Sequence, residues 1–218
     1  MYLLLRPEMT VMDFGAGRGM VDEDPVPYRR GLRTLKGKVC KVVGADVDEA
    51  VRTNTLVYEA VVIAPDAPLP FDDGTFDLIV SDWTLEHIRN ASLVTGELAR
   101  VLKPGGWICA RTPNRWGYVA LGARLVPERL QAAVLNKVQP ERRECDVFPK
   151  EYRINSKGQL LRYFDKDGFD CYVYGVNSEP AYMGRSALLW RLSLWAFQLT
   201  PGRLSAFLHV FIQKKATG

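Results

Sequence analysis

No stretch of about 18 uncharged apolar residues occurs in the chain, which excludes a hydrophobic spanning helix by the usual length criterion. There is no CxxC pair, and Cys40, Cys109, Cys145 and Cys171 stand far apart. The histidines are two, His87 and His209, so no zinc spacing arises. Neither a disulfide frame nor a metal site is expected, and the cysteines read as reduced core residues. The opening MYLLLRPEMT has a short apolar run but no basic region before it and no small-residue cleavage pattern. A secretory leader is therefore not expected, and the default compartment is the cytoplasm. No internal repeat or low-complexity tract interrupts the 218 residues, a length that suits one domain over 1–218.

What is present is ordinary in amount and uneven in placement. Apolar residues make up 47% and charged residues 25%, as in a globular protein. The net charge of +4 divides sharply: residues 1–99 hold 10 basic and 16 acidic side chains, residues 100–162 hold 13 and 5. The basic half reads either as a solvated surface or as an attractor of an anionic substrate or the acidic inner face of a membrane, which would give peripheral contact. No nucleic-acid-binding motif accompanies it, so a nucleic-acid partner is not expected.

Short apolar runs alternate with helical or loop-like stretches, the pattern of a mostly parallel α/β sheet. Strands are expected at Thr10–Phe14, Lys41–Ala45, Ala60–Ile63, Phe76–Ser81 and Gly106–Arg111. Leu93, Val94, Leu98, Val101 and Leu102 recur at helical spacing, and Lys103-Pro-Gly-Gly106 is expected to stop that helix. An arginine-rich excursion over 112–152 reads as an inserted cap of helices and loops. A helix over Ser156–Asp167, a strand at Asp170–Tyr174, a helix at Ala187–Leu199 and a strand at Ser205–Lys214 complete the pattern.

The strongest local signal is Asp13-Phe-Gly15-Ala16-Gly17-Arg-Gly19 directly after a hydrophobic strand. Glycines at alternate positions let the backbone turn sharply and approach a ligand. A dinucleotide loop spaces its glycines GxGxxG; here the third falls one residue early. Asp13 ahead of the glycines also suits a cationic ligand better than a pyrophosphate. Further on, Val42-Val-Gly-Ala-Asp46 ends a strand in a carboxylate, an acceptor for two neighbouring ribose hydroxyls or else a helix N-cap. An NAD(P)-dependent oxidoreductase therefore stays open as an alternative on these residues alone.

Four ordered segments carry a resemblance: VMDFGAGRG at 11–19, VVGADVD at 42–48, LPFDDGTFDLIVSDWTLEHI at 69–88 and ELARVLKPGGWICARTPN at 97–114. Together they resemble the class I S-adenosylmethionine-dependent methyltransferases, in particular the group that includes ubiquinone and menaquinone biosynthesis enzymes and bacterial small-molecule and glycan methyltransferases. The resemblance implies a Rossmann-like seven-stranded sheet in the order 3-2-1-4-5-7-6, with strand seven antiparallel and helices on both faces. It implies S-adenosyl-L-methionine as cofactor, its methionine end held by Asp13, Gly15, Ala16, Gly17 and Gly19. Asp46 would take the ribose diol, Val47 would lie against adenine, and Asp66 and Ala67 would meet the adenine edge. Ser81, Asp82 and Trp83 would face the reacting methyl. Relatives carry one or two helices before the first strand; here that strand starts near residue 10, so a lid comes from 112–152, from a partner, or not at all.

Methyl transfer asks the enzyme chiefly for in-line placement and exclusion of water. A general base is needed where the acceptor is a hydroxyl or a protonated amine. Asp82 and His87 in the run SDWTLEHI are the candidates, with Glu86 more suited to orienting neighbours. Arg111, Asn114 and Tyr152, with Arg115, Arg142, Arg143 and Arg153, form a candidate clamp for an anionic small-molecule, glycan or lipid-linked substrate. The apolar, tryptophan-bearing segment 187–199 is expected either to bury against the sheet or to dip into a membrane interface. A cofactor-binding scaffold without turnover is a third reading.

Overall fold

The computed structural model describes residues 1–19, 26–118, 120–121, 150–164, 167–177 and 187–216. Seven strands form one sheet: β1 (Thr10–Phe14), β2 (Lys41–Asp46), β3 (Glu59–Val62), β4 (Phe76–Asp82), β5 (Leu102–Pro113), β6 (Phe169–Val176) and β7 (Phe207–Lys214). Their order is β3-β2-β1-β4-β5-β7-β6, as the resemblance implied. β1 to β5 run parallel, and β7 is antiparallel to both β5 and β6. The described helices are α1 (Pro27–Arg33), α2 (Ala91–Val101), α3 (Lys157–Tyr163) and α4 (Ala187–Leu199).

The period of two along each strand divides the apolar residues between two cores. Met12, Val43, Ile79, Ile108, Ala110, Leu208, Val210 and Ile212 join Leu98 and Val101 of α2 and Leu160 of α3 on one face. Val11, Val42, Leu78, Val80 and Cys109 point to the other, where they meet Leu35, Val39 and Val57, with Leu4 and Leu5 packed against them. Such continuous apolar runs are what a sheet buried on both faces requires. Burial pushes the Cys109 thiol up to about 11, so it is an inert core group.

Several boundaries differ from expectation, and three of them have a local reason. Lys103–Gly106 does not simply end a helix; it lies within β5 as a bulge, since Phe76 pairs with Leu102 and Leu78 already pairs with Trp107. Lys103 is held there by both oxygens of Asp77 at 2.9 Å. The helix expected over Ser156–Asp167 ends at Tyr163, because Phe164 leaves helical geometry to bury edge-on against Phe169, 5.3 Å between ring centroids. β6 is longer than expected, extending to Val176 along β7. Most of the expected cap, 122–149 with Arg142, Arg143 and Cys145, lies outside the described residues.

Candidate functional site

A cavity of about 1480 Å³ opens across the carboxyl ends of β1, β2 and β4. That edge is where parallel α/β sheets bind ligands, because every strand there hands the chain to a loop. Gly15, Gly17 and Gly19 all have positive φ, at 82°, 51° and 69°. A Cβ on Gly15 would lie 1.9 Å from the Thr84 hydroxyl, and one on Gly19 would lie 2.0 Å from the Asn54 amide; at Gly17 it would meet nothing. The outer two glycines therefore let the loop pack, and the middle one leaves its open side to the cavity. Asn54 ties the loop from below, donating to the Ala16 and Gly17 carbonyls at 3.1 and 3.2 Å.

Asp46 braces the same loop. Its carboxylate accepts the Gly17 N–H and the Asp48 N–H, each at 2.8 Å, which leaves further lone pairs facing the cavity. Val47 beside it is exposed, and Asp66 and Ala67 line the wall beyond β3. Asp13 sits at the floor, and burial, with Asp82 and Asp46 nearby, raises its carboxyl to about 7. Ser81 is buried, lines the same space, and has no hydrogen-bond partner for its hydroxyl among the described residues.

At the end of β4 the chain strains. Among the described residues the non-glycine positions with positive φ are Asp66, Trp83 and Tyr152, and backbone of this kind persists where packing enforces it, often at functional sites. Trp83 (φ 58°) donates its N–H to the Arg111 carbonyl, and its ring meets Phe207 edge-on at 5.0 Å. The Arg111 guanidinium lies 5.2 Å from that ring and forks onto both oxygens of Asp82, Nε to Oδ1 and Nη2 to Oδ2, at 2.7 Å each. The pair is partly exposed, so it fixes geometry more than it adds stability.

This combination of sheet order, glycine loop and strand-end carboxylates coincides with a match of residues 12–110 to the family described as Methyltransferase domain. Over that segment, under half of the chain, and in its sheet order the chain is similar to the class I S-adenosylmethionine-dependent methyltransferases. A ubiquinone biosynthesis O-methyltransferase of Paraburkholderia xenovorans is 26% identical over 125 residues, 56% of this chain and 53% of that protein. The match thus spans about half the length of the curated relatives. Solved S-adenosylmethionine-dependent methyltransferases of Mesorhizobium loti and Archaeoglobus fulgidus share the fold with a TM-score of 0.58 each, at 17% and 14% identity; the likeness covers 98% of this chain and 95% and 89% of theirs.

The cofactor of the methyltransferases that this segment resembles is S-adenosylmethionine, and the residues present fit it. A carboxyl raised to about 7 by burial, with two further carboxylates adding to it, is relieved by a cation, which the cofactor's ammonium and sulfonium supply. The unpartnered Ser81 hydroxyl and the spare lone pairs of Asp46 suit its polar groups, and exposed Val47 suits adenine. Asp13, Gly15, Ala16, Gly17, Gly19, Asp46, Val47, Asp66, Ala67, Ser81, Asp82, Trp83, His87 and Arg111 all line the one cavity.

Two residues named from the sequence as substrate contacts do not line the cavity. Asn114 is buried, with its amide nitrogen donating to the Arg203 and Ser205 carbonyls at 2.9 and 2.8 Å and its oxygen accepting the Trp116 N–H. It welds the end of β5 to the approach to β7. Tyr152 is buried beneath Glu86, whose carbonyl accepts the Tyr152 N–H at 3.2 Å. Glu86 itself is buried, accepts from Thr112, and is pushed up by that burial. Conversely, Thr84, Phe207 and His209 line the cavity without having been singled out. The antiparallel direction of β7 was the available signal: it returns that strand's first residues to the carboxyl end of β5, placing Phe207 opposite Pro113 and His209 opposite Arg111.

Proposed function

We propose that this methyltransferase moves the methyl group of S-adenosylmethionine onto an oxygen of an amphiphilic, anionic small molecule or lipid-linked acceptor. The observation that carries the reading is the acidic floor of the cavity, Asp13 beside Asp46 and Asp82 at the strand ends, where a cationic cofactor relieves the repulsion. The cofactor, when bound, supplies a methyl carbon activated by positive sulfur. Asp13 and the Gly15–Gly19 loop hold its amino-acid end, Asp46 its ribose, and Ser81 orients the group above β4. Trp83, Phe207 and Arg111 wall the remaining space with two aromatic rings and a cation, a lining suited to an acceptor with a flat apolar body and a negative group. The choice of oxygen follows the relative named as an O-methyltransferase.

No helix among the described residues is long and apolar enough to cross a membrane. We place the protein in the cytoplasm, touching the inner membrane surface through α4, whose apolar side chains are exposed. A second reading, cofactor binding without turnover, draws on the locked state of Asp82, whose two oxygens are both taken by Arg111. Incubation with labelled S-adenosylmethionine and fractionated cell extract separates the two. A labelled oxygen-methylated product is expected; tight cofactor binding with no labelled product in any fraction favours the scaffold.

A further inference from the structure

Four strands bring one row of polar side chains to the same face of the sheet. Asp82 of β4 pairs with Arg111 of β5, Arg111 with His209 of β7, and His209 with Tyr174 of β6. The neighbours of His209 along its own strand, Leu208 and Val210, point into the opposite core, so the imidazole faces the cavity. No hydrogen bond to its ring nitrogens is present among the described residues. Two strand spacings of about 4.8 Å separate the Asp82 and His209 columns, leaving a gap roughly 10 Å wide with Arg111 as its floor.

We propose that His209 is a catalytic residue of this methyltransferase: it faces the acceptor's reacting hydroxyl and takes its proton during transfer. The inference rests on the oxygen-methylation reading above. In the step, the acceptor O–H bond breaks and the proton passes to a His209 ring nitrogen. An oxygen electron pair forms the new C–O bond, and the C–S bond breaks with its electrons returning to sulfur, which becomes neutral. The other candidates are worse placed. Asp82 has both oxygens engaged by Arg111. His87 lies beyond β4 in the turn flanked by Leu85 and Ile88, which belong to the α2–α3 core, and its nitrogen is 4.0 Å from buried Glu86. The groups facing His209 are Arg111 from β5, Asp82 behind it, Tyr174 from β6 and the amine of Met1. Burial first, then Arg111, holds its imidazole below the ordinary value, so it is neutral and able to accept a proton at physiological pH.

The test uses the full chain and its two histidines, whose imidazole resonances are assigned with His87→Gln and His209→Gln. Each is titrated by NMR with S-adenosylmethionine and with S-adenosylhomocysteine bound, binding being verified by calorimetry in the same buffer. The two ligands differ by a methyl group and the positive charge on sulfur. If His209 faces the reacting methyl, its midpoint is lower with S-adenosylmethionine by roughly half a unit, and His87 moves less. Equal His209 midpoints in the two complexes, or a larger difference at His87, overturn the assignment. Absence of calorimetric binding removes the cofactor reading itself, and His209 falls with it.

Discussion

In the proposed site, Asp13 is the carboxyl that couples the fold to the ligand. Its folded value is about 7 against an ordinary 3.8, with burial as the main cause and Asp82 and Asp46 adding to it. A raised acid stabilises the unliganded protein fully below the ordinary value and loses that contribution as pH climbs to about 7. Cofactor binding reverses the preference, because the incoming cation favours the ionised form and a proton must leave. Affinity for S-adenosylmethionine is therefore expected to strengthen roughly sixfold between pH 6 and 7.5, a gain of about eightfold from Asp13 trimmed by the α-amino group of about 8, roughly a quarter of which has lost its charge at pH 7.5. Calorimetry across that range checks it, and Asp13→Asn is expected to bind more weakly at pH 7.5 with a flat profile. A second residue carries a different load. Asp46 accepts two backbone N–H groups and faces the cavity, so Asp46→Ala is expected to weaken S-adenosylmethionine and S-adenosylhomocysteine alike by about 1.5–3 kcal/mol. Unchanged affinity in a folded variant would remove it from the ribose site.

The elements that frame the site are joined by a few buried polar side chains, and Asn114 is the clearest. Its amide closes the corner between β5 and β7 with three side-chain hydrogen bonds, and its own N–H donates to Ala206 at 2.9 Å. Asn114→Ala strands the Arg203 and Ser205 carbonyls and is expected to cost about 2–4 kcal/mol of stability in urea unfolding. Cofactor affinity should change far less, since the residue does not line the cavity; a large loss of affinity with little loss of stability would restore it to the binding site. The same corner marks the limit of what the residue order reveals. That the glycine loop and Asp46 line one strand-end cavity was legible because they lie in local runs: strand, turn, carboxylate. Asn114 also sits in such a run, yet its side chain is committed to the Arg203 and Ser205 carbonyls, many positions away. The locking of Asp82 by Arg111, and the arrival of His209 beside it, depend on register between β4, β5 and β7, which no local pattern encodes. Strand order was foreseen; the cross-strand rows followed only once the strands were paired.

At the scale of the whole molecule, the basic half and α4 bear on where the enzyme works. Leu188, Leu192, Trp195 and Leu199 are spaced i, i+4, i+7 and i+11, forming one stripe, and all four are more than half exposed. Ser193, Leu194 and Phe197 turn partly inward, where Phe197 meets Tyr118 at 5.0 Å and its carbonyl accepts from Asn177. Asn177 in turn accepts the Ala206 N–H, one residue before cavity-lining Phe207. The helix is thus tethered next to the rim of the cavity, with Arg191 beside the stripe and no acid on it. An apolar stripe flanked by cations is the pattern of a helix lying in an anionic interface, with each nearby Lys or Arg contributing about 1 kcal/mol. Such docking would bring the cavity to an amphiphilic acceptor instead of requiring the acceptor to leave the bilayer. The full chain is expected to co-sediment with vesicles of phosphatidylcholine and phosphatidylglycerol at low salt, with binding falling as salt rises. The double substitution Leu192→Glu and Trp195→Glu should abolish sedimentation, because it places two carboxylates in the stripe, while S-adenosylmethionine affinity stays unchanged. Retention of vesicle binding in that variant would move the contact to another surface, and failure of the unsubstituted chain to sediment at low salt would leave a freely diffusing anionic acceptor as the substrate.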